Sequence, residues 1–215
     1  MRKSIHLIML MALFLILTAC GSKDTNTTSE INQHLDDTIK IELEFEETQD
    51  EISELEEEDE TLYEQIIDLG SDDYEEIVEL TDKAIDSLEE RREVVEKEKT
   101  TIESARDEFE KINPLIEKIS DEKEQEITNE MYETMMSRYD AYDNVYDSYM
   151  ESINVTEDLY ELLKDEDFKE DEVYDVISNV NDLYEDVENE FEVFNEETQS
   201  FNETKEEYYN LIKQQ

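Results

Sequence analysis

The sequence predicts an all-α protein, an elongated, antiparallel up-down-up-down bundle of about four long, coiled-coil-like helices. The 215-residue chain contains two glycines and one proline, so it offers few places for tight turns. Its apolar side chains recur at seven-residue steps, which is typical of helices that pack along one another. Twelve tyrosines and seven phenylalanines supply core side chains that disordered acidic chains usually lack.

The first helix is predicted to follow a short tether. Residues 21–30 contain no large apolar side chain and predict a flexible linker. A heptad-like stripe begins after Ile31, and Gly70 and Ser71 predict a helix stop followed by a new N-cap. The apolar positions of this stripe are Phe45, Ile52, Leu55, Leu62, Ile66 and Leu69.

The second helix has the most regular repeat. Pro114 lies inside it, but the stripe keeps its register, so a kink is predicted there rather than an end. Residues 120–126 contain no apolar side chain, and the helix is expected to end there. The main stripe is Leu88, Val95, Ile102, Phe109 and Ile116, and the companion stripe is Ile77, Ala84, Ala105, Ile112 and Ile119.

The third and fourth helices are predicted on either side of a polar turn at residues 164–171. Four helices of about 40 residues each would form a rod roughly 60 to 70 Å long, and short connections favour antiparallel neighbours. The third helix carries Tyr132, Tyr139, Tyr146, Ile153 and Tyr160 beside Met135, Tyr142, Tyr149, Thr156 and Leu163. The fourth carries Val173, Val180, Val187, Phe194, Phe201 and Tyr208 beside Ile177, Tyr184, Phe191 and Ile212.

The first 19 residues predict a lipoprotein signal peptide. Arg2 and Lys3 precede a largely apolar run of fifteen residues at 5–19, which is shorter than the roughly 20 residues that a spanning helix needs. The order Leu-Thr-Ala-Cys at residues 17–20 is that of a bacterial lipobox. Cys20 is therefore predicted to become an S-diacylglycerol cysteine at the mature N-terminus, where its amino group is a candidate for N-acylation with a chain such as palmitate. The alternative is an ordinary secreted or membrane-anchored protein with an incidental cysteine.

This interpretation divides the chain into three parts. Residues 1–19 are the signal peptide, residues 20–30 are the lipid-anchored cysteine and its tether, and residues 31–215 are the helical bundle domain. Two acyl chains hold a protein to a membrane where one would not. The expected location is the extracellular face of the cell membrane.

The charge of the chain excludes several partners. The formal net charge is −48 and becomes −50 when Arg2 and Lys3 are removed with the signal peptide, so a nucleic acid is not an expected partner. Divalent cations are expected to bind only diffusely, because the acidic run at residues 54–64 lacks the glycine and ligand spacing of an EF-hand. His34 has no second histidine or cysteine with which to bind a metal. Neither a cofactor nor a metal site is predicted.

The tyrosines of the third helix are the candidate binding residues. A tyrosine ring has an apolar face that can stack on a sugar and a polar hydroxyl at its tip. The competing interpretation is that tyrosines on a heptad stripe fill the core. The binding candidates are Tyr132, Tyr139, Tyr142, Tyr146 and Tyr149.

Several segments, together with the lipobox, carry a resemblance to a known family. They are LYEQIIDLG at 62–70, RREVVEKEK at 91–99, INPLIEKI at 112–119, RYDAYDNVYDSY at 138–149 and FNEETQSFNETKEEYY at 194–209. In this order they resemble the YkyA-like cell-wall-binding lipoproteins of Bacillus-type Gram-positive bacteria. The resemblance covers most of the mature chain. It implies a surface lipoprotein with a wall-associated role and supplies no catalytic motif to carry over.

Two functions follow from these patterns. The first is a lipid-anchored, non-catalytic binding or spacer module that contacts a cell-wall polymer or an envelope protein. The second is an envelope-associated enzyme, or an enzyme subunit, that uses acidic residues. A continuous packed seam would favour the first, whereas a pocket with converging carboxylates of raised pKa would favour the second. A two-lobed transport receptor is disfavoured, because the sequence shows no βαβ pattern.

Overall fold

The computed structural model describes residues 25–70 and 73–213, and these residues form helices and their connections without any strand. The long helices are α1 (Thr25–Asp68), α2 (Tyr74–Phe109), α4 (Glu122–Leu163) and α5 (Glu170–Ile212). A 3-10 turn (Glu110–Ile112) and the short α3 (Asn113–Ile116) lie between α2 and α4. The predicted all-α fold with four long helices is confirmed.

Hydrogen bonds at the two ends of the bundle define the antiparallel order. Thr28 Oγ1 on α1 donates to Glu124 Oε1 at the start of α4 over 2.7 Å, and Tyr208 Oη near the end of α5 donates to Asn32 Oδ1 over 3.3 Å. We call this end proximal. Tyr74 Oη, at the start of α2, donates over 2.6 Å to the carbonyl oxygen of the residue after α4, at the end that we call distal. Both ends of the described chain therefore lie at the proximal end.

The predicted heptad stripes form the core. The main stripe of α2 is buried throughout, and the stripe of α5 is buried from Val180 to Tyr208. The proximal part of the core is aromatic: the ring of Tyr142 contacts those of Phe45 and Phe194 edge-on at 5.9 and 5.8 Å between centroids. The distal part is mainly aliphatic and includes Ile52, Leu62, Leu88 and Ile153.

Helix α1 begins earlier than the sequence predicted. It starts at Thr25, so residues 25–30 of the predicted tether are helical. The hydrogen bond between Thr28 and Glu124 and one from Asn26 Nδ2 to Glu30 Oε1 hold this turn. Both contacts are polar, which is why an apolar periodicity did not include them. The signal peptide, Cys20 and the tether up to residue 24 lie outside the described residues.

The chain around Pro114 departs from a simple kinked helix. Helix α2 ends at Phe109, and the chain tightens into the 3-10 turn before continuing as α3. Proline has no N–H, and its ring clashes with the carbonyl four residues earlier, so the α-helical ladder cannot continue through it. Both apolar stripes nevertheless continue into the core beyond α2, because Ile112, Ile116 and Ile119 are all buried.

The connections are close to the predicted ones but shorter. Helix α4 begins at Glu122, inside the predicted break, because the Asp121 carboxylate accepts hydrogen bonds from the N–H groups of Lys123 and Glu124 at 3.1 and 2.9 Å. Helix α1 ends two residues before Gly70. None of the helices in residues 25–70 and 73–213 has an apolar stretch long enough to cross a membrane.

Candidate functional site

The five candidate tyrosines all lie on α4, and the structure separates them into two groups. Tyr139, Tyr142 and Tyr149 are buried, whereas Tyr132 and Tyr146 are half-buried. A buried ring cannot present its face to an external sugar. The prediction of direct stacking is therefore wrong for the three buried tyrosines, because their helix turns them into the core.

Each buried tyrosine donates its hydroxyl hydrogen to a carboxylate on another helix. Tyr139 Oη lies 3.2 Å from Glu42 Oε1 on α1, and Tyr142 Oη lies 2.7 Å from Glu98 Oε1 on α2. Burial, followed by the charge of the neighbouring glutamate, raises the pKa of both phenols far above its ordinary value. These hydroxyls therefore stay neutral and act as fixed donors.

Tyr149 forms the third such contact, with its hydroxyl 2.6 Å from Glu56 Oε1. Burial raises the pKa of this phenol as well. The three bonds are spread along α4 and tie it to both helices of the α1–α2 hairpin. These three hydrogen bonds therefore have a structural role, because they hold α4 against α1 and α2.

The half-buried tyrosines have neighbours over their rings. Tyr132 stacks on Phe109, with 5.7 Å between ring centroids and 11° between planes. The Lys99 ammonium lies 5.5 Å from the centre of the Tyr146 ring. Of the five tyrosines predicted to stack on a ligand, Tyr132 and Tyr146 are the two whose side chains are still partly exposed.

A buried ion pair that the sequence reading missed joins α1 to α4. Arg138 Nη1 donates to Glu42 Oε1 over 2.8 Å, and both side chains are almost completely enclosed. The guanidinium also donates from Nε to Thr198 Oγ1 on α5 and lies 4.9 Å from the centre of the Phe194 ring. One side chain thus connects three helices.

A second buried ion pair lies in the distal half of the bundle. Arg91 Nη2 is 3.0 Å from Asp59 Oδ2 and 3.4 Å from Tyr184 Oη. Burial raises the pKa of the Asp59 carboxyl, and the Arg91 charge opposes that rise. The pair links α1 and α2, and Tyr184 extends the contact to α5.

Glu98 accepts three hydrogen bonds inside the bundle. Its Oε2 accepts from Thr48 Oγ1 at 3.1 Å and from Gln49 Nε2 at 2.6 Å, in addition to the bond from Tyr142 to Oε1. Burial raises the pKa of this carboxyl although all three donors favour its ionised form. Glu98 on α2 is thus bonded to two residues of α1 and one of α4.

The sequence contained a signal for these buried charges. In α2 the companion stripe continues at seven-residue steps through Arg91 and Glu98, the two positions that its apolar residues skip. Asp59 follows Ile52 by seven residues in the same way. A third stripe of α4, which the sequence analysis did not identify, is buried throughout and contains Glu124, Met131, Arg138, Val145, Ser152 and Leu159.

Within residues 25–70 and 73–213, the buried carboxyls of raised pKa do not lie together. The two buried carboxyls of raised pKa, Asp59 and Glu98, belong to separate interior clusters. An open groove between α1 and α2 is lined by Ile41, Glu44, Lys97, Thr100, Thr101 and Ser104, so Glu44 is its only carboxylate. This arrangement does not resemble the acid–base pair of a catalytic site.

No group of three or more His, Cys, Asp or Glu side chains in the described residues is arranged to hold a metal ion. His34 forms a contact of another kind, with its Nδ1 2.7 Å from Glu108 Oε1. Hydrogen bonds from Lys111 and His34 lower the pKa of the Glu108 carboxyl. The pair joins α1 to the end of α2 at the proximal end of the bundle.

Known proteins resemble this chain either in sequence or in fold. Residues 26–211 match the YkyA family, described as "Putative cell-wall binding lipoprotein". Over 75 residues the chain is 33% identical to the uncharacterized lipoprotein YkyA of Bacillus subtilis (strain 168), a match that covers 35% of this chain and 34% of that protein. The match thus spans about a third of that relative's length.

Among solved structures, the fold is similar to the crystal structure of a conserved protein of unknown function from Staphylococcus aureus. The TM-score is 0.73, and the similarity covers 88% of this chain and 97% of that chain at 16% sequence identity. At this identity the similarity concerns the fold alone.

Proposed function

The chain belongs to the YkyA family, and from this premise we propose that it is a lipid-anchored, non-catalytic binding module of the cell surface whose ligand lies in the cell wall. The signal peptide would be removed before Cys20, and acyl chains on that residue would hold the protein at the extracellular face of the membrane. The bundle would then extend away from the lipid from its proximal end.

The observation that carries the non-catalytic part is the inward direction of the reactive side chains. Tyr139, Tyr142 and Tyr149 direct their hydroxyls at carboxylates inside the bundle. Asp59 and Glu98, the carboxyls that an enzyme of the alternative class would use, are enclosed in the same way. Recognition is left to the outer surfaces of the helices, as expected of a binding module or spacer.

Wall binding must overcome electrostatic repulsion. The mature chain has a net charge of −50, and teichoic polymers are anionic as well, so direct attraction is unavailable to them. Diffusely bound Ca²⁺ or Mg²⁺ can bridge two polyanions. With most of the tyrosine ladder buried, we propose that cation bridging is the main route and that Tyr132 and Tyr146 contribute at most a small stacking contact.

Fractionation of cells that make Cys20→Ser tests the anchor. The variant is expected to leave the membrane fraction while keeping the wild-type helical content, since residue 20 precedes the described bundle. Retention of the variant in salt-washed membranes at the wild-type level would contradict lipidation at Cys20.

Sedimentation of the mature protein with purified walls tests the ligand. Binding is expected to increase with Mg²⁺ or Ca²⁺, to decrease in chelator and to require walls that retain teichoic acid. Binding that persists in chelator and high salt would favour stacking on glycan. Absence of binding under every condition would reject the wall as the ligand and leave a membrane-tethered spacer or a module for an envelope protein.

A further inference from the structure

Three large apolar side chains are exposed at the distal end of the bundle. Ile67, in the last turn of α1, is 56% exposed. Phe168, in the connection between α4 and α5, is 37% exposed, and Tyr174, near the start of α5, is 67% exposed. We call these three residues the distal patch. Leu43 and Val193, the other large apolar residues exposed in the part of the chain that the structure describes, lie near the middle of α1 and α5.

At the distal end, hydrogen-bonded and ionic contacts join α2 to the residue that follows α4. Tyr74 Oη bonds to the carbonyl oxygen of Lys164, and Lys164 Nζ lies 2.8 Å from Asp82 Oδ1 on α2. The amide of Phe168 donates to the carbonyl of Asp165, which closes the turn that presents the Phe168 ring. These contacts tie the residue after α4 to α2, close to the turn that carries Phe168.

The charge of the bundle is uneven along its length. Residues 47–96 and 146–191, which form the distal half, contain 39 acidic and five basic residues. Residues 25–46, 97–145 and 192–213, which form the proximal half, contain 26 acidic and ten basic residues. The strongest negative potential therefore surrounds the half that carries the distal patch.

All five basic residues of the distal half are already engaged by carboxylates. The pairs are Lys83–Glu79 at 2.8 Å, Arg91–Asp59 at 3.0 Å, Arg92–Glu157 at 2.7 Å, Lys164–Asp82 at 2.8 Å and Lys169–Glu172 at 2.6 Å. The carboxylates would repel a phosphate polymer that approaches this end, because the basic side chains of the distal half are already paired and do not offset the repulsion. A cationic partner would be attracted.

From this combination we infer that the distal patch is a docking surface for a basic polypeptide segment with apolar side chains, supplied by another envelope protein. The acidic field would attract the segment, and its apolar side chains would cover the patch. The end of a four-helix bundle is smaller than a standard protein–protein interface. We therefore expect weak, salt-sensitive binding. This inference goes beyond the proposed wall binding and depends on it only for the surface location.

The test uses the mature lipidated chain in nanodiscs of zwitterionic lipid, with empty nanodiscs as the blank. The probe is a short fluorescent peptide that alternates lysine and leucine, and binding is followed by anisotropy. One comparison peptide replaces leucine with serine, and another replaces lysine with glutamate. The inference predicts that the lysine–leucine peptide binds more tightly than either comparison peptide and that added salt weakens this binding.

Matched variants locate the contact. Replacing Ile67, Phe168 and Tyr174 together by serine is expected to raise the dissociation constant about tenfold or more. The control replaces Leu43 and Val193 by serine, both of which are 44% exposed, and should bind like the wild type. Tyr174→Ser alone provides a milder variant if the triple one loses helical content, and it should weaken binding in the same direction.

Several results would overturn the inference. They are equal binding by the lysine–serine peptide, unchanged binding by the distal-patch variants, no binding at all, or a dimer in ultracentrifugation that disappears in these variants and so identifies a second copy as the occupant. The peptide assay contains no cell wall. If walls sediment with the protein while the peptide does not bind, wall binding stands and the docking surface is rejected.

Discussion

At the scale of single residues, a buried charged side chain can hold several helices of this bundle together. Arg138 is enclosed with Glu42 and also contacts Thr198 and Phe194, so it holds α4 against both α1 and α5. A buried ion pair contributes little compared with an apolar pair of similar size, but removal of one partner leaves the other charge buried and uncompensated. We expect the position of such a pair to help specify which helices face each other.

The first prediction follows from this asymmetry. Arg138→Met should lower the free energy of unfolding by about 3 to 5 kcal/mol, because it strands the Glu42 carboxylate. Combining it with Glu42→Leu should recover part of that loss, since both charges are then absent. Chemical denaturation of the wild type, both single variants and the double variant measures the coupling. Additive losses would contradict a direct pair.

Surface pairs provide the matched control. Lys83→Met breaks the exposed contact with Glu79, whose pKa is lowered mainly by the hydrogen bond from Lys83. Solvent and salt screen that contact. The denaturation midpoint of this variant should equal that of the wild type within error.

The second prediction concerns pH and Glu98. Because burial raises its pKa in the folded state, its contribution to stability is complete below the pKa of the unfolded chain and is lost as pH rises through the folded-state pKa. In Glu98→Gln, Oε1 can accept from Thr48 and Gln49, while Nε2 donates to a reoriented Tyr142 hydroxyl. The variant should therefore gain stability relative to wild type as the pH rises above 4.5, the ordinary pKa of a glutamate.

Urea denaturation at several pH values checks this sign. The exposed Glu57→Gln serves as the control and should show no comparable trend. A stability difference between Glu98→Gln and wild type that stays constant with pH would mean that Glu98 does not titrate differently in the folded and unfolded states.

At the scale of helices, seven-residue repeats were sufficient to predict four helices and most of their buried faces. The apolar side chains alone did not reveal that Arg91, Glu98 and Asp59 continue those faces, because a search for apolar residues skips charged ones at the same seven-residue steps. The same limit explains the early start of α1 at Thr25, whose first turn is held by polar contacts. The start of α4 was predictable in principle, since Asp121 followed by Glu124 is a recognised N-terminal pattern.

The candidate tyrosines illustrate a different limit. Their spacing placed them on two neighbouring heptad stripes of α4, but spacing alone does not say whether a stripe is covered. The packing of α1 and α2 against α4 decides it, and their carboxylates supply the hydroxyl partners. Only the tertiary structure shows whether such a tyrosine forms a hydrogen bond inside the bundle or presents its ring to a ligand.

The third prediction tests the helical seam. Ile102→Asp in α2 and Val187→Asp in α5 place a charge at buried positions of the stripes. Each should destabilise the bundle by about 3 kcal/mol or more, because an apolar contact is lost and an unpaired carboxylate is buried. Thermal unfolding followed by circular dichroism measures the effect.

The control for the seam is Glu57→Asp. Glu57 is exposed and its midpoint should not change, whereas Glu56 accepts the hydrogen bond of buried Tyr149 and is not an equivalent site. Equal small effects at Ile102, Val187 and Glu57 would contradict the seam.

For the whole molecule, the excess of negative charge is the main electrostatic term that opposes folding. A net charge of −48 over 215 residues opposes compaction through self-repulsion, and the opposition is strongest in the distal half, where the acidic excess is largest. The buried pairs and the packed stripes must offset this repulsion. Screening by ions separates the two contributions, because exposed charges respond to salt much more than enclosed ones do.

The fourth prediction follows from that difference. Raising the salt concentration from 10 mM to 1 M shortens the Debye length from about 30 Å to about 3 Å, so the thermal midpoint should rise by roughly 5 °C or more, equivalent to about 2 kcal/mol. The loss caused by Arg138→Met should persist at high salt, because the Arg138–Glu42 pair is enclosed. MgCl₂ at matched ionic strength distinguishes diffuse screening, which predicts a gradual increase, from saturable binding at a defined site. An unchanged midpoint in both salts would mean that repulsion among the exposed carboxylates does not limit the stability of the bundle.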